Sequence, residues 1–273
     1  GRFSLLVLAS CRFYMVWNPY YVTLLLGSAV YDWSIARVMD RSENPRVRKA
    51  WLFLSISGNL ALLGTFKYFN FLATVMSDGL GLLGIDLPPP RLDLLLPVGI
   101  SFFTFQAMAY TIDVYRRRIP ACHNFLKYLA FGTFFPQLVS GPIVKAREFL
   151  PQLDAPPNLP PEKAAEGLFL ILLGLAKKVA IADYLGVNLV NRVFDNPGAF
   201  TSLEILVALY GYTMQIYCDF SGYTDVARGS AMLLGFHLPE NFNRPYLAAS
   251  PAQFWRRWHI TLSGWLREYV YYP

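Results

Sequence analysis

The sequence predicts an all-α, polytopic helical membrane protein, and three observations support that fold class. Hydrophobic residues make up 55% of the 273 positions. Charged residues make up only 15%, whereas a soluble chain carries about a quarter. The apolar residues also form long blocks, several of them close to the roughly 20 residues that cross a bilayer as a helix. This composition argues against a disordered chain, a fibrous protein and a soluble cytoplasmic enzyme.

Four apolar blocks in the first part of the chain are candidate membrane spans. They are residues 3–17 (short or partly interfacial), 19–36, 50–76 and 92–114. The block at 50–76 is long enough to cross with tilt or to break near Lys67. The loop at 37–49 and the arginine triplet at 116–118 are basic, whereas the loop at 77–93 is mainly acidic. Because cytoplasmic loops are enriched in Lys and Arg, we expect the two basic loops to be cytoplasmic and the acidic loop to lie outside.

The block at 125–144 departs from this pattern. It contains Pro136, Gly141 and Pro142, and basic residues flank both of its ends. Irregular backbone at membrane depth is tolerated where it is buried in protein or lines a watery cavity. We therefore predict a re-entrant element that enters and leaves on the cytoplasmic side; the alternative is an ordinary span with a proline kink. A proline-rich linker, a helix and a further span follow at 151–161, 162–185 and 203–218.

Charge and cysteine content narrow the function further. The net charge is +6, but the basic residues lie in short clusters between apolar blocks, as in loops that face an anionic membrane surface. No basic face typical of a nucleic-acid-binding protein is visible, so we expect no nucleic acid partner. The three cysteines are scattered without metal-ligand spacing, and we expect free thiols and no metal site. They are Cys11, Cys122 and Cys218.

The densest polar and aromatic stretch is 215–271. Asp219, Ser221, Thr224 and Asp225 follow an apolar run in it, and an ionisable group at membrane depth is a candidate functional residue. The alternative is that the two aspartates cap a helix at the aqueous boundary, because Asp is common at helix N-termini.

Residues 250–270 are predicted to form one amphipathic helix with a clear start. Ser250 is a candidate N-cap, Pro251 suits the first helical position, and Gln253 completes a capping box. One helical face consists of Trp255, His259, Leu262 and Leu266, bordered by Arg256, Arg257 and Ser263. The imidazole of His259 can accept a proton near neutral pH, as acyl transfer to a hydroxyl requires. The alternative is a hydrogen-bonded structural histidine.

Several longer strings resemble the membrane-bound O-acyltransferase family. WRRWHITLSGWLREYVYYP occupies 255–273, preceded by PENFNRPYLAASPAQF at 239–254 and YCDFSGYTDVARGSAMLLGF at 217–236. Strings at 95–116 and 134–153 are similar to the same family, so the resemblance covers most of the chain from about residue 95 onward. The forms FSGYTD and WRRWHITLS resemble the acetyl-transferring branch, which acts on exported polysaccharides such as alginate, more than the D-alanyl-transferring branch of teichoic acid modification.

The resemblance implies a helical membrane enzyme whose helices surround a central funnel through the bilayer. It places His259, in the family's Trp-His-x-x-Leu-Ser element, as a catalytic residue. Family members carry a second histidine, usually given the main catalytic role, in a later Trp-His-Gly segment. This sequence ends before such a segment, and His237 is no substitute for it. We therefore expect residues 1–273 to form one transmembrane domain, a fragment that lacks both ends of its parent protein.

The same strings supply candidates for substrate binding or for lining the funnel. They are Asp219, Ser221, Tyr223, Asp225, Asn241, Asn243, Arg244, Trp255, Arg256, Trp258 and Ser263. The arginines at 116–118, together with Lys145 and Arg147, are candidates for attracting the phosphates of coenzyme A. Their alternative explanation is the positive charge expected of any cytoplasmic loop.

The expected function is transfer of an acetyl group from a cytoplasmic thioester across the membrane, for O-acetylation of an exported, alginate-like polysaccharide. We expect no bound cofactor. The donor would be acetyl-CoA or an acyl-carrier thioester, and the partners a periplasmic acetyltransferase and the polysaccharide. The location would be the bacterial inner membrane, crossed several times. The alternatives are a channel or transporter for a small polar solute, a scaffold that recruits a soluble transferase, and D-alanyl transfer to teichoic acid.

Overall fold

A computed structural model describes residues 1–156 and 158–272. All regular structure in these two ranges is helical, as predicted. The helices are α1 (Arg2–Met15), α2 (Tyr21–Arg41), α3 (Pro45–Leu63), α4 (Phe69–Gly81), α5 (Ile100–Tyr115), α6 (Phe125–Gly132), α7 (Phe135–Leu138), α8 (Ala146–Asp154), α9 (Pro161–Leu175), α10 (Asn191–Asp195), α11 (Ser202–Leu233), α12 (Pro251–Arg257) and α13 (Ile260–Leu266). Turns of π-helix occur at Gly64–Tyr68, Ala176–Asp183, Gly186–Val190 and Arg267–Tyr271, and 3₁₀ turns at Pro197–Ala199 and Pro245–Leu247.

The chain forms two compact units. The first comprises residues 1–139 and 145–150, and the second comprises residues 140–144 and those from 151 onward. In the first unit, apolar side chains of several helices form one buried cluster. They are Tyr14, Leu25, Leu63, Ile100, Phe103 and Leu138.

A polar network lies inside the packing of α2, α3 and α5 in the first unit. The carboxylate of Asp32, which is completely buried, accepts hydrogen bonds from Ser55 Oγ (2.7 Å) and Asn59 Nδ2 (2.9 Å). The buried guanidinium of Arg48 donates to the carbonyls of Met39 (2.8 Å) and Val114 (2.9 Å), close to the ends of α2 and α5. A cation is favourable there because helix C-termini carry partial negative charge.

One continuous helix, Pro45–Gly81, is long and apolar enough to cross a membrane by length and composition, and it is the only such helix in residues 1–156 and 158–272. It joins α3 and α4 through the π-helical turn that holds Lys67, so the predicted segment 50–76 is helical throughout and does not break there. The spans predicted at 3–17, 19–36, 92–114 and 203–218 stay predictions. The helix predicted at 162–185 is confirmed, because α9 continues without a break through the π-helical stretch Ala176–Asp183.

Several predicted boundaries were wrong. Helix α2 continues to Arg41, so the basic loop predicted at 37–49 is partly helical. Helix α5 begins only at Ile100, because Gly99 adopts a left-handed conformation (φ 75°) and its α-carbon lies against the Leu138 carbonyl. The linker predicted at 151–161 begins later, since α8 continues through Pro151 to Asp154.

The predicted segment 125–144 is broken, and no single kinked helix runs through it. Helix α6 ends at Gly132 and the one-turn helix α7 begins at Phe135. The Phe131 carbonyl accepts hydrogen bonds from the side-chain amides of Gln106 (3.0 Å) and Gln137 (3.2 Å). Side chains thereby satisfy a backbone group that a continuous helix would have satisfied. The depth of this segment in a membrane, and hence its re-entrant character, stays a prediction.

The second unit is built on the antiparallel pair α9 and α11. Helix α11 starts with a capping box in which Thr201 and Glu204 bond reciprocally. Where the two helices cross, Gly174 faces the Gly222 carbonyl so closely that an added β-carbon at either glycine would collide with the other's backbone. Gly167 and Gly229 make the same contact further along. Small residues of this kind allow two helix backbones to approach closely.

Candidate active site

The backbone around His259 is broken. Helix α12 ends at Arg257, Trp258 is extended (φ −103°, ψ 126°), and His259 is left-handed (φ 43°, ψ 56°). Helix α13 begins at Ile260. The prediction of one amphipathic helix over 250–270 was therefore wrong, and the predicted common face of Trp255 and His259 does not exist.

The predicted start of this region is confirmed. The Ser250 side chain accepts a hydrogen bond from the Gln253 N–H (3.3 Å), and Pro251 occupies the first turn. The Gln253 side chain reaches back to the N–H of Ala249 (3.0 Å), one residue before the N-cap. The capping box therefore forms in a slightly shifted version.

A neighbouring segment holds the break in place. The Asn241 carbonyl accepts from the Ile260 N–H (2.9 Å), and its Oδ1 atom accepts from the N–H (3.3 Å) and hydroxyl (2.6 Å) of Thr261. On the other side of His259, the Asn243 N–H donates to the Arg257 carbonyl (2.9 Å). Residues before and after the histidine are thus fixed to the same three-residue segment. These tertiary bonds are absent from any local helix signal, which is why the sequence predicted an unbroken helix.

The ring of His259 is half-buried and packs edge-on against Phe220 of α11, with ring centroids 4.7 Å apart and an interplanar angle of 85°. His259 lies outside the helix that is long enough to cross a membrane. Burial lowers the pKa of His259 to about 4. Its imidazole is therefore neutral near neutral pH, which is the form that can accept a proton.

Aromatic rings surround the turn that carries His259. Trp258 stacks on Phe254 (5.5 Å between centroids, 18°) and meets Phe242 edge-on (5.1 Å, 85°). The full cluster consists of Tyr217, Phe220, Phe242, Tyr246, Phe254 and Trp258. Trp255 remains 59% exposed, although its ring edge contacts Phe254. The cluster packs the segment 242–258 against α11, and its member Phe220 contacts the ring of His259.

The two aspartates of α11 lie well inside that helix, so the alternative of helix caps was wrong. Asp225 is 2.6 Å from Lys177 Nζ, and the two side chains are only 12% and 21% exposed. Asp219 is 2.6 Å from Lys178 Nζ, but these side chains are 53% and 45% exposed. Both lysines belong to the π-helical stretch Ala176–Asp183, a distortion that is often found at functional sites.

The other candidates divide into those near the histidine turn and those at the surface. Ser263 Oγ contacts the Trp258 carbonyl (3.4 Å), and Asn241 is only 1% exposed. Tyr223 is hydrogen-bonded to the backbone of Ser140. Ser221 is buried, and its Oγ has no hydrogen-bond partner among the described residues. Asn243, Arg244 and Arg256 are exposed, and Arg244 is left-handed (φ 45°).

Three residues in this region did not emerge as candidates from the sequence. Phe220 contacts the histidine ring, Thr261 hydrogen-bonds to Asn241, and Lys177 pairs with Asp225. For Lys177, the signal was a double lysine inside an apolar run, which requires carboxylate partners at membrane depth. Phe220 and Thr261 carry no comparable signal, because aromatics and threonines are common in packed helices.

In the first unit, three of the arginines predicted to attract coenzyme A phosphates have carboxylate partners. Arg117 pairs with Glu43 (2.6 Å), and this contact lowers the pKa of Glu43. Arg118 (3.4 Å) and Arg147 (3.7 Å) both lie near the carboxylate of Asp113, whose side chain is 1% exposed. The cluster remains basic, but these three arginines each lie beside a carboxylate. The described residues contain no group of three His, Cys, Asp or Glu side chains that could hold a metal ion.

Comparison with known proteins places these residues in a family. The model of the membrane-bound O-acyltransferase family matches residues 15–273, which include both units and the histidine turn. The chain belongs to this family. The sequence-based resemblance is thereby confirmed, and the assignment covers residues 15–94 as well as the later strings.

Curated relatives within the membrane-bound O-acyltransferase family carry acyl-transfer names. The chain is 39% identical to the Pseudomonas aeruginosa protein named "Probable alginate O-acetylase AlgI", over 99% of this chain and 51% of that protein. It is 38% identical to the peptidoglycan O-acetyltransferase of Helicobacter pylori, over 98% of this chain and 55% of that protein. The teichoic acid D-alanyltransferase of Bacillus subtilis is 32% identical over 67% of this chain and 46% of that protein. The chain spans about half the length of the curated relatives it matches.

Proposed function

We propose that this chain is part of a membrane O-acyltransferase that supplies acetyl groups for the O-acetylation of an exported polysaccharide. The observation that carries the proposal is a neutral, half-buried histidine held in a left-handed turn within the region that matches the acyltransferase family. The names of the relatives at 38–39% identity favour acetyl over D-alanyl as the transferred group.

The proposed chemistry uses the histidine as a proton acceptor. The oxygen of an acceptor hydroxyl attacks the carbonyl carbon of an acetyl thioester, and His259 accepts the hydroxyl proton. The carbon–sulfur bond then breaks, and the proton passes to the leaving thiolate. A new oxygen ester and a free thiol result, and the imidazole returns to its neutral form. A protonated histidine could not accept the proton, and with its pKa at about 4 the imidazole of His259 is neutral near neutral pH.

The proposed donor and partners are based on the basic cluster of the first unit and on the predicted membrane topology. We propose acetyl-CoA or an acyl-carrier thioester as donor on the cytoplasmic side, near the basic cluster of Arg118 and Arg147. A periplasmic acetyltransferase and the polysaccharide would receive the acetyl group, and the protein would cross the bacterial inner membrane several times around a funnel. The support is the positive charge of the predicted cytoplasmic loops and the membrane association of the family.

The experiment replaces His259 with Ala in the full-length protein and measures acetate released from the exported polysaccharide by mild base. We expect a loss of about 100-fold or more, the usual contribution of a positioned acid–base group. The matched control is His237→Ala, because His237 is an exposed histidine of the same unit. Acetylation at the wild-type level in the His259→Ala strain would contradict the role of His259.

The acceptor can be determined in the same strains. Relatives are named for alginate and for peptidoglycan, so acetate is measured separately in the exopolysaccharide and in the cell wall. We expect the loss in the exopolysaccharide fraction. A loss confined to peptidoglycan would keep the acetyl-transfer chemistry and replace the acceptor.

A further inference from the structure

Asn241 is hydrogen-bonded to the two residues that follow His259, a role that the sequence did not predict. It is 1% exposed and accepts three hydrogen bonds from two consecutive residues. Its main-chain oxygen accepts a hydrogen bond from the Ile260 N–H. Its Oδ1 atom accepts hydrogen bonds from the N–H and the hydroxyl of Thr261. Because a backbone N–H can only donate, Oδ1 must face Thr261, and the orientation of the amide is fixed.

Thr261 extends this contact to a third segment. Its hydroxyl donates to Asn241 Oδ1 (2.6 Å) and accepts from the Ile143 N–H (3.0 Å). One hydroxyl therefore joins the segments at 140–144, 241–243 and 259–261, all within the second unit. A side chain that used only apolar contacts would leave the Ile143 N–H without this acceptor.

His259 occupies the N-cap position of α13 in a left-handed conformation (φ 43°, ψ 56°). This conformation costs about 1–2 kcal/mol for a residue other than glycine. The direction in which the side chain leaves the main chain follows from these backbone angles. Such strain persists where surrounding contacts over-determine the backbone. The bonds from Asn241 and Asn243 are those contacts.

We propose that Asn241 is a positioning residue for His259, acting through the hydroxyl of Thr261 and the backbone of Ile260. The inference rests on the proposed function, since it assumes that His259 takes part in acetyl transfer. Asn241 does not touch substrate in this role. It sets where the imidazole points, and a displacement of about 1 Å at a reacting group can lower a rate by about 100-fold.

The test uses the full-length protein in detergent and a labelled acetyl thioester as donor. Asn241→Ala removes the Oδ1 acceptor, and Thr261→Val removes the hydroxyl with little change in shape. For both variants we expect kcat to fall by about 10- to 100-fold with the KM for the thioester unchanged. Thr261→Ser keeps the hydroxyl and should recover most of the rate that Thr261→Val loses.

The control is Asn188→Ala. Asn188 is an exposed asparagine of the same unit, and its side chain donates only within its own helix, to the Tyr184 carbonyl. We expect wild-type kcat for this variant. Thermal unfolding of every variant is measured in parallel, so that a loss of rate in a protein with unchanged melting temperature is assigned to position and not to folding.

Two outcomes would overturn the positioning role. One is wild-type kcat in Asn241→Ala while His259→Ala is inactive, which leaves the proposed function intact and removes Asn241 alone. The other is a rate in Thr261→Ser as low as in Thr261→Val, because the hydroxyl would then not matter. Full activity of His259→Ala would instead remove the proposed function, and the positioning role with it.

Discussion

At the scale of single residues, His259 shows how distant contacts decide local structure. Ser250 and Pro251 were predicted to start a helix, and they do, because capping depends on neighbours in sequence. The break at His259 depends on Asn241, which lies 20 residues before its partner Thr261. No local propensity encodes such a pairing. The sequence therefore gave the identity of the candidate base but not the geometry that presents it.

Asp219 and Asp225 show the same limit for charged residues. Their types predicted a polar feature at this point of α11, but the nearest cation to each is a lysine on another helix. The two pairs differ in exposure, and a buried ion pair loses far more than an exposed one when one partner is removed.

We predict that Lys177→Met lowers the free energy of unfolding by about 2–3 kcal/mol, below the loss for a fully buried pair, because Asp225 loses its nearest cation and keeps only the more distant Arg228 (4.0 Å). The matched variant Lys178→Met should lower it by less than about 1 kcal/mol, since Asp219 is half exposed to solvent. Thermal unfolding in detergent micelles measures both. Equal losses in the two variants would show that burial does not distinguish the pairs.

At the scale of helices, the glycine contacts of α9 and α11 carry the packing of the second unit. Gly167 and Gly174 are seven residues apart on one helix, and Gly222 and Gly229 have the same spacing on the other. Gly174 meets Gly222, and Gly167 meets Gly229, across the antiparallel interface. The spacing was visible in the sequence, but it became informative only once the register of the two helices was known.

We predict that Gly174→Ala destabilises the protein by about 1–3 kcal/mol, because the added methyl group would collide with the Gly222 carbonyl and force the helices apart. Gly198→Ala is the control, since nothing lies within 4 Å of a β-carbon at that position. The measurement is the melting temperature of the purified protein in detergent. An unchanged melting temperature in Gly174→Ala would mean that the helices are not in close contact there.

The helix break within 125–144 was predicted, but its position was not. The prolines and glycine of 125–144 indicated irregular backbone, and the segment is indeed divided. The helix nevertheless ends before Pro136, at Gly132, where buried glutamine side chains satisfy the Phe131 carbonyl. Residue types that disrupt helices are readable from sequence, whereas the side chains that compensate for the disruption come from elsewhere in the fold.

At the scale of the whole molecule, composition and the long apolar blocks predicted an all-helical membrane protein. Large apolar side chains remain exposed on α9 and α11, among them Leu168, Leu172, Leu206 and Tyr210. Contiguous apolar surface of this kind is typical of contact with lipid or with another protein. The helix Pro45–Gly81 has the length and composition of a span. The family assignment agrees with these features, because its members are membrane-bound acyltransferases.

The alternatives of a channel and a scaffold make different predictions from an enzyme. A channel would pass solute without consuming a thioester, and a scaffold would bind its partner without acyl turnover. Neither role uses a proton-accepting imidazole, whereas the proposed acyl transfer does. The distinction therefore depends on whether an acetyl group leaves its thioester in a reaction that requires His259.

The most direct measurement is the rate at which the purified full-length protein transfers or hydrolyses a radiolabelled acetyl thioester, compared between wild type, His259→Ala and His237→Ala. We predict turnover by wild type and by His237→Ala, and a rate lower by about 100-fold or more in His259→Ala. Turnover by His259→Ala at the wild-type rate, or solute flux without thioester turnover in the wild type, would contradict the proposed role of the histidine.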